Sequence, residues 1–385
     1  MTSVDKTLPI SHRMVLSVMG RYKPENVRWA YEHGLVLQSI FILGEKTGNE
    51  NWMLWVRDMY DTKVKNNGVI ETYNEGEFNL DLINPGKTLF LLYKKFGDEK
   101  YRKAIESLMN QLRRHPRTKT GGLWHKNIYP WQMWLDGLYM AGPFHAQYAA
   151  LFAVNSDKNA GSVNGVNNVN DDLDDVVHQF VLMESRARDS ETGLLYHAWD
   201  ESRKQLWANP NTGCSPHFWA RAIGWYCMAL VDTFEFVTGK QRESLEAIAC
   251  RLVAPLLKYQ DKVSGLWHQI PDLGSRRNNY TETSASAMFV YFFLKMIRLG
   301  VVTKIDSPVV REAALTAYNG LLREKLREEQ DGQLHLNGIC KVAGLGGSPY
   351  RDGSWDYYMS EPVVEDDFKG IGPFIFASME VEGLL

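Results

Sequence analysis

With 385 residues, 44% of them hydrophobic and 12% aromatic, the chain carries ample apolar material for a large core. Its charges nearly cancel, 43 Lys plus Arg against 46 Asp plus Glu, and its basic cluster around Arg113, Arg114 and Arg117 is too short for a nucleic-acid footprint. The four cysteines, Cys214, Cys227, Cys250 and Cys340, form neither a Cys-x-x-Cys pair nor a Cys/His metal spacing, so a zinc module or a disulfide framework is not expected.

Residues 1–8 are polar and lack the apolar centre of a signal peptide, and no apolar run approaches a membrane span. A cytoplasmic protein without a membrane partner is expected. Helical periodicity dominates the chain. In 101–112 the apolar residues Tyr101, Ile105, Leu108, Met109 and Leu112 fall on one helical stripe. Similar stripes predict helices over 9–22, 26–46, 50–65, 82–95, 134–154, 172–188, 217–237, 242–260, 281–299, 307–327 and 368–382. That makes twelve helices and no alternating strand longer than a few residues, an all-α reading. Length alone suggests two or three domains of roughly 150 residues, but closed barrels commonly exceed that as one unit, and a single domain over 1–385 is expected.

The connections alternate in length. Short turns carry glycine after an apolar stripe, at Gly48, Gly97, Gly239 and Gly300, where a left-handed residue ends a helix without steric cost. Long connections repeat a theme of glycine followed by aliphatic or aromatic residues, at Gly68, Gly122, Gly193, Gly265 and Gly332. Such repetition indicates repeated supersecondary units. Six helical hairpins joined in this way close into an (α/α)6 barrel with every long loop on one rim; an open solenoid would need polar capping helices that the ends do not supply. The Asn/Gly-rich segment 155–170 replaces a short turn and reads as a flexible insertion on the opposite rim.

If the long loops share a rim, functional groups converge there. The stretch 129–144 holds one carboxylate, Asp136, among Tyr129, Trp131, Trp134 and Tyr139. Apolar walls remove the water that solvates charge, which favours the neutral carboxyl a general acid needs; the structural alternative is a first-turn acid stabilised by the helix dipole. Asp81 and Asn84 precede the fourth helix, His125 lies before Asp136, and His197 sits in the next long loop. Trp219, Arg221 and Trp225 open the eighth helix, and Trp29 and His33 lie on the second. Tryptophan faces beside arginine and two carboxylates suit a ring-shaped, acidic ligand such as a sugar acid.

The motifs 129–140 (YPWQMWLDGLYM), 124–126 (WHK), 196–200 (YHAWD) and 218–225 (FWARAIGW) resemble those of glycoside hydrolase family 105, the unsaturated rhamnogalacturonyl hydrolases. The resemblance runs from Arg28-Trp29 to 370–374. It implies an (α/α)6 barrel, Asp136 as catalytic acid and Asp81 as second carboxylate. It also implies His125, Trp134, His197, Trp219, Arg221 and Trp225 as substrate-binding positions; His33 and Asn84 are further binding candidates on their placement. It departs at the long 155–170 loop and at His217, where a relative carries an acidic residue. The implied partner is a small oligosaccharide ending in a 4,5-unsaturated uronic acid, with no metal or organic cofactor and with the oligomeric state left open. A family-88 glucuronyl hydrolase, an ordinary inverting glycosidase and a non-catalytic sugar-binding protein remain as alternatives.

Overall fold

Helices of two kinds alternate along the chain, and burial separates them. In the computed structural model, which describes residues 4–152, 169–304 and 307–385, every predicted stripe forms a helix. The outer members are α1 (Ile10–Arg21), α3 (Glu50–Asp61), α5 (Glu99–Arg114), α7 (Val169–Ala187), α9 (Gly239–Lys258) and α11 (Ser307–Glu324). The inner members are α2 (Tyr31–Thr47), α4 (Gly86–Phe96), α6 (Leu135–Phe152), α8 (Ala220–Thr233), α10 (Thr283–Arg298) and α13 (Phe368–Val381). A further short helix, α12 (Trp355–Ser360), interrupts the last long connection.

An outer helix such as α5 is amphipathic, with Tyr101, Ile105, Leu108 and Leu112 inward and Arg102, Glu106 and Arg113 towards solvent. An inner helix such as α8 or α10 is buried nearly all round, which requires neighbours on every side. Those neighbours form a closed ring: α2 meets α4, α4 meets α6, α6 meets α8, α8 meets α10, α10 meets α13, and α13 returns to α2. One continuous apolar cluster joins both layers. The molecule is an (α/α)6 barrel, as the periodicity and the loop rhythm led us to expect.

Capping explains the short turns. Gly48 and Gly97 each adopt a positive φ of 69° at the end of α2 and α4, and the next residue but one starts an outer helix. Asn49 accepts from Trp52 N–H at 3.3 Å, and Asp98 accepts from Lys100 N–H at 3.0 Å, so each turn couples a C-cap glycine to an N-cap acceptor. Gly239 departs from the expected C-cap role: α8 ends in a 3-10 turn at Phe234–Phe236, and Gly239 opens α9. The repeated glycine of the long connections also has a physical cause. At Gly193 an added Cβ would lie 2.6 Å from Pro255 of α9, and at Gly265 it would lie 2.9 Å from the Thr316 carbonyl of α11. Each turn abuts the next outer helix, and a side chain would force the hairpins apart. In the second copy the positive φ falls on Gly121 rather than Gly122.

Three two-residue or three-residue ribbons complete the long connections. β1 (Gln132–Trp134) pairs antiparallel with β2 (Ala198–Asp200), β3 (Leu326–Glu328) with β4 (Leu334–Leu336), and β5 (Ile339–Cys340) with β6 (Val363–Val364). The Asn-rich segment 155–170 lies almost wholly outside the described residues, α7 beginning at Val169.

The barrel interior holds one group at odds with its surroundings. Lys87 on α4 is buried, its Nζ has no hydrogen-bond partner, and it sits 3.5 Å from the centre of the Tyr139 ring on α6. Burial pushes its pKa down to about 7, against the attraction of Asp232. Between pH 7 and about 10.5 the unfolded chain holds a proton there that the folded chain releases, so stability rises with pH across that window. Lys87→Met is therefore expected to raise the unfolding free energy at pH 7 by about 1–3 kcal/mol and to flatten its rise towards pH 10. Urea midpoints at pH 7 and pH 9.5 measure both effects; a variant less stable than the parent at pH 7 would contradict them.

Candidate active site

Because every long connection leads from an outer to an inner helix, all six inner helices begin at one rim. Their positive dipole ends converge there, which favours anions. At this rim lies a cleft of about 550 Å³ lined by residues from the starts of α2, α6 and α13 and from the connections before α4 and α6 and after β5.

Asp136 stands in the first turn of α6 and lines the cleft with its side chain 13% exposed; Asp81, on a 3-10 turn before α4, lines the same cleft at 16%. Backbone pairing sets their positions. An isolated bridge joins Asn79 to Lys126, and Leu80 N–H donates to the His125 carbonyl at 3.2 Å. On the other side, Leu135 N–H donates to the His197 carbonyl at 3.0 Å, continuing the β1–β2 ribbon. Three long connections are thereby stitched around the two carboxylates.

The two acids have different surroundings. Asp81 lies 2.5 Å from Lys126 Nζ and 3.6 Å from His125 Nε2. Burial works against its ionisation, but the Lys126 charge prevails and holds the carboxyl below its ordinary range. Asp136 has no lysine or arginine partner among the described residues; His197 Nε2 lies 3.3 Å from its Oδ2. His125 is buried, and that burial pushes its pKa down to about 4, so it is neutral at physiological pH. His33 is likewise pushed down to about 4 by burial, accepts from Arg28 Nε at 3.2 Å and meets the Tyr22 hydroxyl at 2.5 Å.

The aromatic surroundings differ from expectation. Trp134 stacks on His125 at 4.5 Å and on Tyr129 at 5.0 Å, and these three line the cleft. Trp131 turns away to meet Trp124, and Tyr139 points into the barrel beneath Trp225. Trp219 and Trp225 are 2% and 1% exposed and do not line the cleft. Trp219 donates to Gln269 Oε1 at 3.1 Å, and Trp225 stacks on Tyr139 at 4.9 Å. Arg221 is also enclosed, 3.3 Å from Glu282 Oε1 and bonded to the Cys340 carbonyl. Asn84 is buried with its amide donating to the Tyr139 carbonyl at 3.2 Å, and His197 is fully buried. Direct ligand contact, expected of these residues, is thus open in this structure to Asp81, Asp136, His33, His125 and Trp134, while Trp219, Arg221, Trp225, Asn84 and His197 form the floor beneath. His217 is half-buried outside the cleft, 6.3 Å from the Tyr358 ring.

Several wall residues carried no signal in the sequence: Tyr31 at the start of α2, and Lys341 and Arg351 in the connection after β5. Arg28, Lys126 and Lys369 also line the cleft but are paired with Glu32, Asp81 and Asp367. Lys341 and Arg351 have no carboxylate within ion-pair distance among the described residues; Arg351 instead donates to the Tyr129 hydroxyl at 2.8 Å and to the Gly346 carbonyl at 2.9 Å. This wall rests on its own small apolar cluster of Trp134, Ala198, Trp207 and Leu345, separate from the barrel core.

A cleft at the barrel rim holding two differently set carboxylates, aromatic rings and uncommitted cations defines a carbohydrate-processing hydrolase of the α/α-barrel class. The chain matches the model of Glycosyl Hydrolase Family 88 over residues 10–385 and belongs to that family. Within it, the chain falls with glycoside hydrolase family 105. A family-105 glycoside hydrolase of C. acetobutylicum superposes with a TM-score of 0.90 at 44% identity, covering 98% of this chain and 100% of that one. The unsaturated rhamnogalacturonyl hydrolase YesR of Bacillus subtilis is 27% identical over 275 residues, 67% of this chain and 68% of its own length. The unsaturated glucuronyl hydrolase of Bacillus sp. GL1, which degrades glycosaminoglycan, shares the fold with a TM-score of 0.68 at 12% identity, covering 97% and 95% of the two chains. No helix among the described residues is long and apolar enough to cross a membrane.

The Arg221–Glu282 pair yields a direct test of the floor assignment. Glu282 caps α10 through Ala285 N–H at 2.7 Å and also accepts from Cys340 N–H at 2.9 Å. Removing its cation leaves a buried, uncompensated carboxylate, so Arg221→Met is expected to cost about 3–5 kcal/mol of stability. Denaturant unfolding measures it, and unchanged stability would return Arg221 to the cleft wall.

Proposed function

We propose that the chain removes a 4,5-unsaturated uronic acid from the non-reducing end of lyase-generated oligosaccharides, with Asp136 as proton donor. The observation that carries this reading is the asymmetry of the two cleft carboxylates: Asp81 is neutralised by Lys126, while Asp136 is free of cations and backed by a histidine. An enol ether needs a positioned acid more than it needs a nucleophile. Asp136 protonates C4, the ring oxygen stabilises the cation at C5, and water adds there while losing a proton. The resulting hemiketal opens to a ketone at C5 and leaves C1 as a hemiacetal, which collapses to an aldehyde as its hydroxyl proton passes to the leaving oxygen and the neighbouring sugar departs as its alcohol. Asp81, held ionised, is placed to orient the water and take its proton. Tyr129 and Trp134 supply ring surface beside the acid. For the substrate carboxylate, Lys341 and Arg351 are the available cations in place of Arg221.

Rhamnogalacturonan disaccharide is the favoured substrate, consistent with the likeness to YesR. A glucuronyl substrate with a second anionic group is the other reading, supported by two cleft cations without a carboxylate partner among the described residues, where one substrate carboxylate needs only one. Loss of the ultraviolet absorbance of the unsaturated disaccharide separates hydration from ordinary hydrolysis, and comparing the two disaccharides ranks the substrates. Asp136→Asn is expected to lose at least about a hundredfold in kcat without unfolding; near-normal bleaching by this variant would refute the assignment. Lys341→Gln is expected to raise KM about tenfold with kcat within a factor of two, measured on the same assay. An unchanged KM would remove Lys341 from carboxylate recognition.

A further inference from the structure

The sixth outer-to-inner connection, between α11 and α13, contains a helix that the barrel does not need. Its role is visible in one side chain. Tyr358 of α12 is fully buried, and the one hydrogen bond of its hydroxyl among the described residues is to His197 Nδ1, at 2.8 Å. The opposite nitrogen of the same ring, Nε2, lies 3.3 Å from Asp136 Oδ2; the two are not aligned as a hydrogen bond in this structure, and neither atom has another hydrogen-bond partner among the described residues. The imidazole is enclosed by Trp134 at 5.3 Å and Trp219 at 4.8 Å, so it has no water to exchange partners with.

From this geometry we infer that Tyr358 is a positioning residue: its hydroxyl donates to His197 Nδ1, fixes the ring proton on Nε2, and thereby keeps an N–H beside Asp136, ready to donate once its carboxylate forms. A buried hydroxyl must donate somewhere, because an unmade bond costs the full desolvation penalty. Burial holds the Tyr358 proton far beyond the ordinary phenol range, so the hydroxyl remains a donor at every working pH. With Nδ1 accepting, the ring carries its hydrogen on Nε2. That N–H has little to offer a protonated carboxyl but stabilises the carboxylate that remains once the proton has left. The stabilisation therefore grows along the reaction, which is the kind that accelerates a chemical step. No atom of Tyr358 reaches the cleft; it acts through His197.

The other charged and titratable groups around Asp136 and His197 keep their partners in this scheme. Asp81 and Lys126 neutralise each other, and His125 is neutral. Tyr31 of α2 is a phenol held protonated by burial. Near Tyr358 are the half-buried His217, the Cys340 thiol, which burial raises, and Asp352, held ionised by Ser354 N–H.

The inference rests on Asp136 as proton donor, and the tests keep the two apart. Nitrogen-15 spectra of the intact protein labelled at histidine report the tautomer of His197 without any substrate; the expected result is a protonated Nε2, and a protonated Nδ1 overturns the proposal whatever the activity. Tyr358→Phe keeps the ring and deletes the hydroxyl. It is expected to lower kcat about tenfold with KM within twofold, and to move the alkaline limb of the kcat–pH profile upward by about half a unit or more. An unmoved limb, with any loss of kcat matched by a lower melting temperature, would reduce Tyr358 to packing. In a His197→Gln background, where the amide itself presents an N–H, adding Tyr358→Phe should change nothing further; an independent second loss overturns the coupling. If wild-type protein fails to bleach the substrate at all, the proposed function falls, and the nitrogen spectra alone decide the tautomer.

Discussion

Inner helices such as α8 and α10, apolar nearly all round, cannot face water, and this single constraint orders the molecule. Each must be surrounded, so they ring one another and take a second ring of amphipathic helices as their outer cover. Two-residue turns such as Gly48-Asn49 and Gly97-Asp98 leave no choice of direction, so all inner helices run the same way. Their N-termini then meet at one rim with the long connections. The site follows from that: carboxylates, histidines and cations from residues 28 to 369 share one cleft because the helix starts do.

Below the cleft, polar groups are committed to each other rather than to a ligand. Arg221 and Glu282 bind across 61 residues of sequence, Glu282 also caps α10, and Asn84 holds the Tyr139 carbonyl. Such a floor fixes where the helix starts lie, and the starts fix the acids. The cost of disturbing it appears as misplaced acids as well as lost stability, because Asp136 and Arg221 sit at equivalent points of neighbouring inner helices, α6 and α8, which pack directly on one another.

Much of this was legible in the sequence, for physical reasons. Burial imposes a local period, so the twelve stripes could be read without tertiary knowledge, and glycine marks turns because its backbone freedom is local too. Asp81, His125, His33, Trp134 and Asp136 could be anticipated as rim residues once the loop rhythm was seen. The floor could not. Trp219, Arg221 and Trp225 share one face of a helix start, but whether that face meets the cleft depends on Glu282 and Gln269, whose proximity no local pattern encodes. Tyr358, Lys341 and Arg351 come from a connection of short ribbons and a six-residue helix, too brief for any period to register.

The cleft wall has its own anchorage. Trp134, Ala198, Trp207 and Leu345 gather the segments around Tyr129, Gln205 and Arg351 into a cluster that shares no member with the barrel core. Folding stability and ligand choice are therefore written in largely different residues. A lineage carrying this scaffold can redraw the outline of its cleft by exchanging side chains in the wall, while the ring of helices and the carboxylates at its rim stay as they are.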